Sequence, residues 1–119
     1  MSERPGSRLR LETIDGVVIV HFVDEKIISD ETIEAVANEL FALVEEQGET
    51  RVLLNFRNVQ LLSSSALASL MHLDKKIKQR RGALGLCGLK PVQVELFRVT
   101  GLDRVFRIHA DEQSALDRL

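Results

Sequence analysis

Three apolar runs decide what this chain can fold into: VVIVHFV at 17–23, RVLLNF at 51–56 and ALGLCG at 83–88. Each is the length of a strand rather than a helix. VVIVHFV is rich in β-branched residues, and RVLLNF is apolar on both faces, as a strand buried in a parallel sheet must be. Between the runs lie segments whose apolar residues recur at helical spacing. Ile33, Val36, Ala37, Leu40 and Val44 form one stripe; Leu67, Leu70, Leu73 or Asp74, and Ile77 form another. Strand alternating with helix implies right-handed crossovers and a mostly parallel sheet.

The ends of the chain complete the pattern. RLRLETI at 8–14 alternates apolar and polar residues, and DG at 15–16 signals a two-residue hairpin turn, so the chain opens with an antiparallel pair of strands. Ser29 or Asp30 can cap the first helix, and Gly48 is placed to end it. The second helix starts among the serines at 63–65 and runs to about Arg81. Pro91 suits the first turn of a third, closed by Gly101. RVFRI at 104–108 reads as an edge strand and DEQSALDRL as a last short helix capped by Asp111. The expectation is a single α/β domain over 8–119, following a flexible lead-in over 1–7. Its mixed sheet holds about four to five strands, packed with about four helices.

Charge and composition exclude several functions. A net charge of -2, with basic residues scattered, provides no field for nucleic acid or an anionic membrane. The absence of Trp and Tyr, with only 5 Phe, argues against a base-stacking platform. Cys87 is the only cysteine, which fits a reducing compartment and, inside an apolar strand, an inert core residue. No apolar run reaches the roughly 20 residues that span a bilayer, and the polar start MSERPGS lacks the core of a signal peptide. A cytoplasmic domain is expected.

Enzymatic chemistry is equally hard to find. His21, His72 and His109 show no metal-ligand spacing. No glycine flanks the serines to make a nucleophile elbow, and no phosphate-binding glycine loop is present. We therefore expect no catalysis, no cofactor, no metal and no small-molecule substrate.

The stretch NFRNVQLLSSSAL, Asn55 to Leu67, is what remains to be explained. One of Ser63 and Ser64 would suffice to cap the helix, a contribution of about 1 kcal/mol. Further serines in the first turn gain little, since serine is a mediocre helix former. A helix N-terminus also tolerates a phosphoryl group, because its free N–H groups and partial positive charge favour an anion. Capping and switching thus stand side by side on residue types alone.

The same stretch resembles the signature of the anti-sigma factor antagonists, the STAS domains, which runs Asp-Leu-Ser-x-Val-x-apolar-apolar-Asp-Ser-Ser-Gly-Leu. The resemblance continues through GALGLCGLKPVQVELFRVTGLDRVFRIHADEQSAL and covers most of residues 10–116. It implies that Ser64 is a phosphate acceptor, with Ser63 and Ser65 as alternates. It further implies two partners: an anti-sigma factor that is itself a serine kinase, and a serine phosphatase that resets the switch. The implied partner surface comprises Ser63, Ser64, Ser65, Ser69 and His72, with Val94 on the next helix.

Three positions depart from the signature. Ser63 stands where the family has aspartate, Ala66 where it has glycine, and Asn55 where it has a strand-end aspartate. The first removes a charge and a cap acceptor; the second adds a methyl group where a kinase would approach the backbone. These departures motivate an alternative, a STAS adaptor or scaffold subunit that is never phosphorylated. Within the third helix, Val94 and Phe97 fall off the Val92–Leu96–Val99 stripe. They either leave apolar area for a partner or pack against a neighbouring helix.

Overall fold

A computed structural model describes residues 6–119; most of the expected lead-in lies outside the described residues. Ser7, its last residue, bonds through Oγ to Glu39 Oε1 at 2.6 Å. The opening hairpin forms as the sequence predicts: β1 (Leu9–Ile14) pairs antiparallel with β2 (Val17–Phe22), with Leu11 opposite Val20. Both turn residues, Asp15 and Gly16, have positive φ (52° and 79°), the mirror-image turn whose twist matches the flanking strands.

From β2 the sheet grows in parallel. β4 (Arg51–Asn55) lies beside β2, β6 (Ala83–Cys87) beside β4, and β7 (Arg107–His109) at the far edge, giving the order β1-β2-β4-β6-β7. Two strands were not expected. β3 (Lys26–Ile27) and β5 (Leu61–Leu62) form a separate parallel pair, and two residues each are too few to leave a periodic signature. The last strand begins at Arg107 rather than Arg104, because Leu102–Arg104 winds into a 3₁₀ turn first.

Helices α1 (Asp30–Glu45), α2 (Ser64–Gln79) and α3 (Pro91–Val99) share the larger core with one face of the sheet, where Val18, Val20, Leu54 and Leu86 meet Leu40, Leu70, Ile77 and Phe97. Alternation along the strands turns Val17, Ile19, Leu53 and Cys87 to the opposite face, covered by Ala115 of α4 (Glu112–Leu116) and the C-terminal Leu119. Burial pushes the Cys87 thiol up to about 12, assisted by the carboxylates of Glu112 and Asp111, so it is held as the unreactive thiol. Both candidates at the second stripe, Leu73 and Asp74, are buried, and Asp74 pairs with Lys78 at 2.8 Å.

Gly82, at the entry to β6, is required for a packing reason. A Cβ there would lie 2.1 Å from the Thr50 carbonyl oxygen, which accepts the Ala83 N–H at 2.8 Å and starts the β4–β6 pairing. Gly82→Ala is expected to cost about 3 kcal/mol and to lower the midpoint of thermal unfolding by about 12 °C. Calorimetry checks this; an unchanged midpoint would mean that the two strands separate there at no cost.

Candidate functional site

The serine loop is held from both sides before it enters α2. On one side, Gln60 N–H donates to Glu25 O at 2.7 Å and Ser63 N–H to Ile27 O at 3.1 Å, flanking the β3–β5 pair. On the other, the Lys90 ammonium donates to Val59 O at 2.7 Å and Arg57 O at 3.0 Å, while Gln93 Nε2 donates to Val59 O at 3.1 Å. Val59 itself is fully buried and Asn58 Nδ2 donates to the carbonyls of Phe22 and Val23. These bonds satisfy the polar backbone of a segment that has almost no regular structure of its own.

Asn55 shows what its departure from the family pattern does. Its buried Oδ1 accepts the Arg57 N–H at 2.9 Å, the same service a carboxylate oxygen would provide. Gly88 packs on this turn with φ of +73°, and a Cβ there would sit 2.8 Å from both Asn55 Oδ1 and Arg57 N. Ala66 corrects an expectation. It is 5% exposed and packs in the larger core, so its methyl group points inward, away from any approaching kinase.

Ser63 occupies the N-cap position of α2, with extended backbone angles, yet its side chain caps nothing. Its Oγ is buried and without a hydrogen-bond partner. By contrast, Ser29 Oγ accepts the Thr32 N–H at 3.2 Å in α1, and Asp111 Oδ1 accepts the Ser114 N–H at 2.8 Å in α4. That backbone bond holds the Asp111 carboxyl below its ordinary range. The first turn of α2 contains no acidic residue either, so neither its cap nor its first turn compensates its positive end.

Ser64 is the first residue of α2 and is exposed, as are Ser65 and His72 on the same side of the helix. Ser69 is half-buried and turns toward α1, lining a narrow apolar cleft with Ile33 and Ala37. Lys76 also turns that way: it bonds Glu45 at 3.2 Å and stands 5.1 Å from the Phe41 ring centroid. Val94 belongs to α3 and is 38% exposed; the Lys90 and Gln93 bonds connect its helix to the serine loop.

The face of α3 differs from the expected stripe. Phe97 is fully buried, edge-on to Phe106 at 5.7 Å between centroids, and Val92 and Val99 point to solvent at 71% and 65% exposure. Gln93 takes the inner position, because its amide both accepts the Lys90 N–H at 2.9 Å and reaches Val59. A polar residue at the centre of a buried face is what the periodicity missed. The signal that could have found it is its position three residues after the helix start, where a Gln side chain can bond back to the N-cap.

No helix among the described residues is long and apolar enough to cross a membrane. The STAS domain family model matches residues 8–115. A candidate anti-sigma factor antagonist of Bordetella bronchiseptica, BtrV, is 30% identical over 108 residues, covering 91% of this chain and 90% of that protein. The solved structure of an anti-sigma-factor antagonist (STAS) domain protein from Planctomyces limnophilus is 27% identical, with a TM-score of 0.78 over 91% of this chain and 93% of that one. The Bacillus cell fate determinant SpoIIAA, solved in its phosphorylated form, shares the fold at 19% identity, with a TM-score of 0.68 over 92% of this chain and 97% of that one. A match along nearly the whole domain, in sequence and in fold, means that this chain belongs to the STAS domain family.

Proposed function

We propose that this protein is an anti-sigma factor antagonist that binds an anti-sigma factor kinase and is released from it by phosphorylation of Ser64. It acts as a binding module in transcriptional control, not as an enzyme, and a serine phosphatase returns it to the binding form. The observation that carries the reading is the exposed Ser64 at the start of a 16-residue helix that has neither a side-chain cap nor an acidic residue in its first turn. A phosphoryl group there adds about -1.5 to -2 charges where the fold favours them. Its cost falls on the docked partner, which must desolvate and face that charge. Among the neighbouring hydroxyls, the buried Ser63 Oγ is poorly accessible to a kinase, while Ser65 is exposed and remains the alternate acceptor. The partner surface extends from these serines along α2 to His72 and onto α3 at Val94.

The direct test is incubation with ATP, magnesium and the kinase of the same host, followed by phosphosite mapping. One phosphate on Ser64, absent in Ser64→Ala, is the expected result. No modification at Ser63, Ser64 or Ser65 would defeat the switch. The second reading, a STAS adaptor that is never phosphorylated, is favoured by one observation: the uncharged Ser63 in place of the family aspartate.

A further inference from the structure

On the sheet face that α4 covers, three side chains from three separate elements converge. Glu12 comes from β1, His21 from β2 and Glu112 from the first residue of α4. Their ligand-type atoms all lie within 4.8 Å of one another. His21 Nε2 is 2.9 Å from Glu12 Oε1 and 4.0 Å from Glu112 Oε1. A hydrogen bond with Glu12 accounts for the nitrogen. It leaves Glu112 Oε1 unexplained, because that oxygen is buried, points at the same nitrogen from beyond hydrogen-bond range, and has no hydrogen-bond partner.

A cation among the three atoms satisfies all of them at once. One imidazole nitrogen with two carboxylate oxygens is a zinc-type donor set, closing to bonds of about 2.0–2.2 Å with small side-chain movements. Calcium would demand six or more oxygens. We propose that Glu12, His21 and Glu112 form a binding site for a divalent transition metal of the zinc class. An open groove of about 520 Å³, lined by Glu12 and His21 together with Arg10, Asn55 and Arg57, gives access from solvent. It leaves room for a fourth ligand, a water or a small anion. The bound ion ties the five-residue C-terminal helix to the opening hairpin, two parts of the chain with no backbone hydrogen bond between them to do so.

The full chain, freed of metal by a chelator, is titrated with zinc chloride at about pH 7.5 in a calorimeter, with thermal unfolding measured in parallel. One equivalent is expected to bind and to raise the unfolding midpoint by about 5 °C or more at saturation. His21→Ala should abolish both effects, Glu112→Gln should weaken binding by at least about tenfold, and His72→Ala should leave it unchanged. Absence of heat up to about 1 mM zinc overturns the proposal, as does undiminished binding by His21→Ala. Should His21→Ala fail to fold, the Glu12→Gln, Glu112→Gln double variant replaces it, and retained tight binding by that variant overturns the proposal equally.

Discussion

Ser64→Asp is expected to bind its kinase partner about 30- to 150-fold more weakly than wild type, with Ser64→Ala binding at wild-type strength and resisting release by ATP. The estimate rests on about 2–3 kcal/mol for placing a carboxylate against a docked, desolvated surface, converted at 1.4 kcal/mol per decade. The domain itself should not suffer. Ser64 is the first residue of α2, whose opening turn has no acidic side chain and no side-chain cap, so an aspartate there gains about 0.3–1 kcal/mol from the helix dipole. The unfolding midpoint should therefore stay level or rise by about 1–4 °C. Calorimetric titration against the partner and a thermal scan read the two effects independently. Equal affinity for Ser64→Asp and wild type would leave the adaptor reading in possession.

Phe97→Ala carries the second large effect, on the fold. Phe97 is fully exposed to the core and not at all to water, packed edge-on against Phe106. Truncation removes its burial and leaves a cavity beneath α3, a loss of about 3–5 kcal/mol. For a chain of 119 residues this lowers the unfolding midpoint by about 12–20 °C. Val99→Ala, on the same helix but 65% exposed, should change it by less than about 2 °C. The contrast matters because periodicity assigns Val99 to the apolar stripe and leaves Phe97 off it. Similar losses for the two variants would restore that assignment.

The alternation of apolar runs with helical stripes was enough to predict the parallel sheet and its hairpin, because burying Val52–Leu54 on both faces leaves few other arrangements. What escaped was polar and local. Gln93 is buried because its amide has two backbone partners, one of them 34 residues away, and no pattern of hydrophobicity encodes that. The β3–β5 pair joins two-residue segments whose pairing depends on where β2 and β4 end. At the candidate site, the serine motif and its place at a helix start were legible. That Ser63 sits at the cap without capping, and that Ala66 faces inward, required the packing of α2 on α1 and β3 to be known.

The double mooring of residues 57–63 has a consequence for the proposed switch. A segment pinned at Glu25 and Ile27 on one flank and by Lys90 and Gln93 on the other has little freedom to relay a signal by changing shape. Under the proposed switch, a phosphate on Ser64, the residue that follows this segment, would be read by touch. Partners can then diverge in what they feel at that spot without any redesign of the scaffold beneath it.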